Sequence, residues 1–431
     1  MSIYAIVGYL IVIVLMYCLI KGKAAPIPLF CFIPIVGAFI AGYSALQING
    51  FVVKGMGTVL STAVLLSFSV IYFVIMNELG IFDPIVDWLV KKAGTNVVAV
   101  TMVTAVVAIL SHIDGATATT VLITVPAMLP LYKRLKISPL VLLTIVTLGM
   151  GVMNLLPWGG PTARVAAVIG VDANELWRAL IPTQIFGAIT TVVIAAILGM
   201  SAKKRGAGQN LDEVEGSANE EFVQRTYTKR SAFNLVLTLV LIGLLSWGKV
   251  QAYVLFMFAT GIALLANYPT LKDQDDAIKK GATPAFLIAA TMMAAGVFVG
   301  ILNQTPMMKD MAGVFIAAFP AFLLKYIHLI VGFLGGPIGM ATGTDAFFFG
   351  IVPLVIAAAK SAGVSAESVG FASLLGKNVG LMISPLTPAT FMAIGLAGVE
   401  LKDHIRFAFP WVMLVSGLTL AFGVVTGLIG I

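Results

Sequence analysis

The sequence predicts an all-α polytopic membrane protein made of two inverted repeats, with about ten transmembrane helices and two re-entrant hairpins. Hydrophobic residues make up 60% of the 431 residues and charged residues only 10%, against about 25% charged residues in ordinary soluble domains. Long apolar runs recur from one end of the chain to the other, which excludes a soluble domain with a single anchor. The two cysteines, Cys18 and Cys31, lie in apolar stretches, so no disulfide framework is expected.

Ten apolar stretches are each near the length that crosses a bilayer. They are predicted as transmembrane spans at about 3–20, 26–46, 57–77, 138–170, 182–200, 232–248, 251–268, 281–303, 365–398 and 408–429. Two further regions, about 95–132 and 327–358, are apolar at both ends and have a polar, glycine-rich middle. Since they are too interrupted for a plain crossing, each is predicted to be a hairpin that enters and leaves on the same side.

The basic residues fix the predicted orientation. With these spans, eighteen lysines and arginines fall on one side of the membrane and six on the other. The positive-inside rule makes the first side cytoplasmic and places both termini outside. The net charge of +7 is thus a signal of topology, and no nucleic-acid partner is expected. The six basic residues predicted outside are Lys54, Arg178, Lys249, Lys309, Lys325 and Lys360.

The two halves of the chain follow the same pattern. Residues 1–200 form the predicted first repeat, 201–231 a charged cytoplasmic linker, and 232–431 the second repeat. An odd number of crossings precedes the linker, so the second repeat enters the membrane from the opposite side, as in many secondary transporters. Three pairs of residues match, in the same order in both halves: Asn77 with Asn303, Asp114 with Asp345, and Asn154 with Asn378. Asn154 and Asn378 each stand seven residues before a proline.

Four charged side chains are predicted at membrane depth. Asp114 and Asp345 lie at the two hairpin tips, and Arg164 and Lys377 lie beside the two interrupted helices. Ionisable residues inside membranes are usually functional, so the carboxylates are expected to bind a coupling proton or cation while the cations offset an anionic substrate. The alternative is that they form two structural ion pairs that hold the hairpins against the broken helices.

The interrupted helices are predicted at about 138–170 and 365–398, where "NLLPWGGPT" and "ISPLTPAT" place prolines and glycines in mid-span. Proline removes backbone donors and glycine permits unwinding, so both helices must break. Half-helix N-termini then present positive partial charge to an anion, and freed carbonyls suit cations. The predicted substrate-binding residues are Ser111, Gly115, Thr117, Asn154, Gly159, Gly160, Thr162, Arg164, Thr344, Lys377, Asn378, Ser384 and Thr387.

Several motifs resemble the CitMHS family, the citrate–metal–proton symporters of the ion transporter superfamily. The resemblance runs over nearly the whole chain and is carried by "LSHIDGATATTVLITVPAMLPLY", "MGVMNLLPWGGPTARVA", "TDAFFFGIVPL" and "SPLTPAT". It implies proton-driven uptake of citrate, often as a divalent-metal complex, across a bacterial cytoplasmic membrane. It also implies scaffold and transport domains, an elevator-type movement and a homodimer.

Three departures from the family pattern concern the metal. Ala116 stands where the family commonly has a second acidic residue, Gly343–Thr344 replace a proline–asparagine pair, and Lys377 occupies a region that is neutral or carries histidine in relatives. Losing a carboxylate and gaining an ammonium both weaken a site for Mg²⁺ or Ca²⁺, because hard cations prefer several anionic oxygens. If a metal binds, Asp114 and Asp345 are its candidate ligands.

The function favoured by these residues is proton-coupled uptake of citrate or a related di- or tricarboxylate, with no resident cofactor and no catalytic residue. Two alternatives stay open: symport of a divalent-metal–citrate complex, and sodium coupling. An intramembrane aspartyl protease is disfavoured, because Thr342, Gly343 and Thr344 precede Asp345 instead of a Gly-x-Gly motif. A passive channel is disfavoured because an inverted repeat suits alternating access.

Overall fold

The computed structural model describes residues 2–209, 228–318 and 320–430, and these residues form eighteen α-helices with no β-strand. The first nine helices are α1 Ile3–Ile20, α2 Pro26–Ile40, α3 Ala45–Glu78, α4 Asp83–Ala93, α5 Val97–Ser111, α6 Thr117–Arg134, α7 Pro139–Met153, α8 Gly160–Ile169 and α9 Ala173–Lys204. The second nine are α10 Lys229–Trp247, α11 Ala252–Asn267, α12 Leu271–Gln304, α13 Met307–Ala318, α14 Ala321–Thr342, α15 Val352–Ser361, α16 Ala366–Lys377, α17 Pro388–Ala397 and α18 Leu401–Val425. A π-helical turn at Ala346–Ile351 joins the second hairpin's tip to α15, and a 3₁₀ turn at Asn378–Ile383 extends α16. The all-helical fold predicted from the sequence is confirmed.

The order of the helices repeats in the two halves. Each half has a helix of 18 or 19 residues, one of 15 or 16, one of 34 and one of 11 or 12. A hairpin, an interrupted helix and a long last helix follow in both. Most of the predicted linker, residues 210–227, lies outside the described residues. The shared order agrees with the predicted repeats, and their inverted orientation stays a prediction.

The two longest helices, α3 and α12, pack along each other at the centre of the fold. They run antiparallel, because Lys54 near the start of α3 contacts Gln304 at the end of α12, and Lys280 near the start of α12 pairs with Glu78 at the end of α3. Their close approach depends on glycine. A Cβ on Gly55 would overlap backbone atoms of α12, so only hydrogen fits there. Small residues of this kind let membrane helices pack closely.

Seven of the described helices are long and apolar enough to cross a membrane, and the number is eight if the pair α16 and α17, bent by 44°, counts as one broken span. The seven are α1, α3, α9, α10, α12, α14 and α18. The predicted spans at 26–46 and 251–268 correspond to the shorter apolar helices α2 and α11. Because α14 is one of the seven, the predicted second hairpin contains a helix that is long enough to cross the membrane by itself.

Both hairpins bring their two ends to one side of the fold. The Gly208 N–H donates to the Leu135 carbonyl over 2.9 Å, and Gly208 also contacts Val97 at the start of α5. The start and end of the first hairpin therefore lie beside the end of α9. In the second half, Gly430 accepts a hydrogen bond from His328 in α14 and donates one to Ser368 in α16. These contacts agree with the predicted re-entrant geometry.

Several predicted boundaries were too narrow. Helices α3 and α12 start well before the predicted spans at 57–77 and 281–303, and α9 starts at Ala173 and not at 182. The missed turns carry charged and amide side chains, which lower hydropathy but not helix propensity. Their starts are marked by side-chain caps, with Ser44, Thr270 and Asp172 each accepting a hydrogen bond from a first-turn N–H.

Candidate functional site

The first hairpin tip is built around Asp114. Helix α5 ends at Ser111, and Gly115 has a φ of +71°, a left-handed conformation that glycine adopts without strain. The Asp114 side chain is only 7% exposed. Its Oδ2 accepts a hydrogen bond from the Asn77 amide at 2.9 Å, and its Oδ1 accepts one from the Ala116 N–H at 2.8 Å. Both oxygens of this buried carboxylate therefore have neutral donors.

The break of the first interrupted helix holds this tip in place. Helix α7 ends at Met153 and α8 begins at Gly160. Between them, the indole N–H of Trp158 donates to the Ile113 carbonyl at 2.7 Å, and the ring packs against Phe73 and Phe256. The Thr162 hydroxyl spans the break by donating to the Leu155 carbonyl at 2.9 Å. The "LPWGGPT" segment is thus a compact turn seated on the first hairpin.

The second interrupted helix is attached to the second hairpin in a similar way. After the 3₁₀ turn, the Ser384 hydroxyl donates to the Met340 carbonyl in α14 at 3.0 Å and accepts from the Leu386 N–H at 3.1 Å. The Thr387 hydroxyl donates to the Leu381 carbonyl at 3.0 Å. These hydroxyls satisfy backbone groups that the break leaves without helical partners.

The two breaks also touch each other. The side-chain amide of Asn378 donates to the Asn154 carbonyl at 3.5 Å. One turn before Asn154, a Cβ on Gly151 would overlap the backbone of Val379, so α7 and the 3₁₀ turn cross in direct contact. The paired asparagines singled out in the sequence therefore meet at the crossing point of the two interrupted helices.

One ion pair joins the two halves at this crossing. Arg164 Nε, in α8, donates to Asp345 Oδ1, at the second hairpin tip, over 2.6 Å. The two side chains are 18% and 19% exposed, so both are largely removed from solvent. The alternative of two ion pairs, one at each hairpin, is wrong: Asp114 is bound by the Asn77 amide, and Lys377 donates to a hydroxyl.

Lys377 is the second buried cation. Its side chain is 2% exposed, and the ammonium donates to the Thr344 hydroxyl at 2.6 Å and lies 5.5 Å from the centre of the Phe348 ring. It is also within electrostatic reach of Arg164 and Asp345. Thr344, Lys377, Ser384 and Thr387 line a cavity of about 40 Å³ between the second hairpin and the second break.

Three half-helices begin at the hairpin tip and the breaks without a side-chain cap. They are α6 after Ala116, α8 after Gly159 and α17 after Thr387. Side-chain caps are also absent from α2, α4, α11, α14, α15 and α18, so what distinguishes these three N-termini is their position at the tip and the breaks. The first-turn N–H groups of these three helices have no side-chain acceptor, so they can donate hydrogen bonds to an anion. The positive partial charge of the helix N-terminus also attracts an anion.

The predicted site residues fall into two groups. Asn154, Arg164, Lys377 and Asn378 meet at the crossing of the broken helices, and Thr344, Ser384 and Thr387 adjoin it. Ser111 and Thr117 flank the first tip, where the Ser111 hydroxyl is buried without a partner among the described residues. Gly159 and Gly160 are needed for the turn, because a side chain at either position would overlap its neighbours. A Cβ on Gly159 would lie 2.7 Å from the Asn154 carbonyl oxygen, and a Cβ on Gly160 would lie 2.7 Å from Arg164 Nη1.

The structure gives the two candidate metal ligands different partners, Asn77 for Asp114 and Arg164 for Asp345. Within residues 2–209, 228–318 and 320–430, no three His, Cys, Asp or Glu side chains are placed to share a metal ion. Two contributors were missed as site residues. Asn77 was identified only as half of a matched pair and Trp158 without an assigned role, because sequence alone does not show that they face the Asp114 carboxylate and the Ile113 carbonyl.

Interrupted helices, buried charges and paired hairpins define this molecule as a polytopic membrane transporter. The solved structure of the YdaH transporter of Alcanivorax borkumensis has the same fold, with a TM-score of 0.63 over 89% of this chain and 90% of that one, at 14% sequence identity. The chain belongs to the CitMHS citrate transporter family, whose model matches residues 5–376.

Two relatives from Bacillus subtilis (strain 168) match over 99% of both chains. One is a citrate transporter, 36% identical over 430 residues, and the other is a Mg²⁺/citrate complex secondary transporter, 36% identical over 433 residues. The resemblance seen in the sequence is therefore confirmed, and the chain is a transporter and not an enzyme.

Proposed function

We propose that this chain takes up citrate, or a related di- or tricarboxylate, in symport with protons across a bacterial cytoplasmic membrane. The observation that carries the proposal is the placing of Arg164 and Lys377 at the crossing of the two broken helices, where they bind the neighbouring residues Asp345 and Thr344. Two cations against the single carboxylate of Asp345 leave an excess of positive charge there. The uncapped N-termini of α8 and α17 add donors of the same sign. A multiply charged carboxylate suits this combination.

Asp114 is assigned the coupling proton. Its carboxylate is held by the Asn77 amide and the Ala116 N–H, so protonation there breaks no ion pair. Asp345, by contrast, is bound by Arg164. Buried carboxylates of this kind serve as proton carriers in membrane transporters.

The movement we infer is of the elevator type, in a homodimer. The hairpins and broken helices pack on one another, with α5 on α7, α6 on α17, and α14 on α16, whereas α3, α11 and α12 pack mainly on one another. The first group would carry the substrate and the second would stay fixed in the membrane.

Uptake into proteoliposomes under an imposed pH gradient tests the proposal. An inside-alkaline gradient should drive accumulation of radiolabelled citrate in the absence of divalent metal, and unlabelled dicarboxylates should compete with it. Citrate accumulation that ignores the pH gradient and follows a sodium gradient would replace proton coupling with sodium coupling. No accumulation of citrate under any gradient would remove the substrate assignment.

The Asp114→Asn variant isolates the coupling step. Asparagine keeps a similar size and an acceptor oxygen but cannot carry a proton, so citrate exchange across the membrane should persist while pH-driven accumulation is lost. Asp403→Asn, a change at an exposed position of α18, is the matched control and should accumulate citrate normally. Wild-type accumulation by Asp114→Asn would exclude Asp114 as the proton carrier.

A second candidate is symport of a divalent-metal–citrate complex, which the 36% identity to a Mg²⁺/citrate complex transporter favours. In that case the metal is part of the substrate, and citrate itself would supply most of its oxygen ligands. The buried ammonium of Lys377 works against a metal ion bound beside it, since two positive charges repel each other at short distance. Repeating the uptake with Mg²⁺ or Ca²⁺ decides between the two: free citrate predicts inhibition by chelation, and the complex predicts stimulation.

A further inference from the structure

A large open cavity lined by the described residues lies away from the crossing of the broken helices. It has a volume of about 680 Å³, within the range of about 300–1,000 Å³ that is usual for small-molecule sites. Its walls come from the C-terminal ends of α8, α12 and α15 and from α13. All of these segments are predicted to lie on the outer side of the membrane.

The charged lining of this cavity is entirely positive. Lys309 on α13 and Lys360 at the end of α15 are the charged side chains among its lining residues, and both are exposed. Asp310, next to Lys309, is not among the lining residues, and its carboxylate accepts a hydrogen bond from the Ser2 hydroxyl beside α1. Three polar side chains complete the lining, Asn303, Thr305 and Ser361.

Two features connect the cavity with the transport site. Ala366, the first residue of α16, lines the cavity, and the same helix ends at Lys377; Glu367 in its first turn offsets the positive partial charge of the helix N-terminus. Val168 also lines it and lies four residues after Arg164 on α8. Residues four apart share one face of a helix and are about 6 Å apart along the axis. The floor of the cavity is thus one helical turn from the Arg164–Asp345 pair.

We propose that this cavity is an outer vestibule that collects a polycarboxylate anion through Lys309 and Lys360 before it reaches Arg164. The proposal rests on the function proposed above and adds a second, external binding step to it. Paired positive charges in a cleft with largely apolar walls raise the local concentration of an anion, with increases in association rate of about tenfold or more. The vestibule therefore acts on capture of the substrate and not on its translocation.

The test labels a cysteine inside the vestibule. Ser361→Cys, in a Cys18→Ala/Cys31→Ala background, is treated in intact cells with negatively and positively charged membrane-impermeant methanethiosulfonates. Replacing both lysines, as Lys309→Gln/Lys360→Gln, should lower the ratio of anionic to cationic labelling rates about tenfold. Citrate should slow the labelling when the lysines are present and not when they are replaced. Lys249→Gln, at an exposed lysine predicted on the same side but outside the cavity, should change neither.

Uptake kinetics supply the second measurement. The double lysine variant should raise the KM for citrate several-fold and leave Vmax unchanged, whereas Lys249→Gln should match the wild type. Normal citrate uptake together with unprotected labelling and an unchanged ratio would overturn the vestibule and leave the proposed function standing. Citrate protection in a protein that accumulates no citrate would uphold the vestibule as an anion site and contradict the proposed function instead.

Discussion

Arg164 and Asp345 hold the two halves of the molecule together at a point where neither charge is well solvated. Their contact is a charge-assisted hydrogen bond of 2.6 Å between largely buried groups. Removing one partner of such a pair leaves an uncompensated charge, which costs more than the pair itself contributes. Variants at these two positions can therefore show separately how the ion pair contributes to thermal stability and to transport.

A double-mutant cycle makes that separation. Asp345→Asn and Arg164→Gln should each lower the thermal stability of the purified transporter, whereas the double variant should recover part of the loss, with a coupling of about 0.5–3 kcal/mol. Transport should be lost in Arg164→Gln and in the double variant, because both lack the cation that the site needs. Strictly additive losses of stability in detergent would show that the contact contributes nothing, and retained citrate uptake in Arg164→Gln would remove the arginine from the site.

Lys377 lends itself to a binding prediction. Lys377→Gln removes a buried ammonium, and a hydrogen bond to a charged group is worth about 1.5–3 kcal/mol. We therefore expect the KM for citrate to rise by about one to two orders of magnitude. The exposed Lys402 on α18 provides the control Lys402→Gln, which should behave as wild type. If Lys377→Gln instead becomes dependent on Mg²⁺ for uptake, the ammonium replaces a metal and does not bind substrate.

The sequence identified the residue types at the site but not their partners. Asp114, Arg164, Asp345 and Lys377 stand out because charge at membrane depth is costly. Which cation meets which carboxylate depends on how the two halves are placed, and no local pattern encodes that distance. For the same reason the sequence does not identify Asn77 as the donor to Asp114. An asparagine near the end of a helix has no local feature that shows which distant side chain it contacts.

At the scale of the elements, breaks were easier to predict than extents. Helix pairs α5–α6 and α14–α15 begin and end within six residues of the predicted hairpins at 95–132 and 327–358, and α7–α8 and α16–α17 lie within the predicted interrupted helices at 138–170 and 365–398. That the hairpins are re-entrant stays a prediction. Proline, glycine and polar clusters act locally, so sequence shows them directly. The full 34-residue lengths of α3 and α12 were missed because their polar turns extend beyond the apolar core that hydropathy detects.

The crossing of α3 and α12 yields a prediction about packing. Gly55→Ala places a methyl group where backbone atoms of α12 already lie, and such overpacking costs about 1–3 kcal/mol. Gly57 lies two residues away on the same helix with nothing within 4 Å of an added Cβ. Gly57→Ala should therefore be neutral or slightly stabilising. Thermal unfolding of both variants in the same detergent compares them, and equal midpoints would show that α3 and α12 can separate without loss.

At the scale of the whole molecule, the antiparallel contact of α3 with α12 is what an inverted repeat requires, since these helices occupy the same place in the two halves. In the predicted inverted arrangement the hairpin of each half lies on the opposite side from the other. The base of the first hairpin contacts Gly208, near the end of the first half, and the start of the second hairpin contacts Gly430, at the end of the second half. Alternating access between two faces would follow from such an inversion.

The same symmetry predicts the orientation of every loop, and single cysteines in a Cys18→Ala/Cys31→Ala background test it. Lys133→Cys and Arg205→Cys should both be protected from a membrane-impermeant maleimide in intact cells and react after permeabilisation, because the first hairpin returns to the side it left. Lys54→Cys and Lys249→Cys should react in intact cells. Lys133→Cys labelled outside while Arg205→Cys stays protected would mean that residues 95–132 cross the membrane fully. The second half would then no longer be the first one inverted, and the meeting of Arg164 with Asp345 would need a different account.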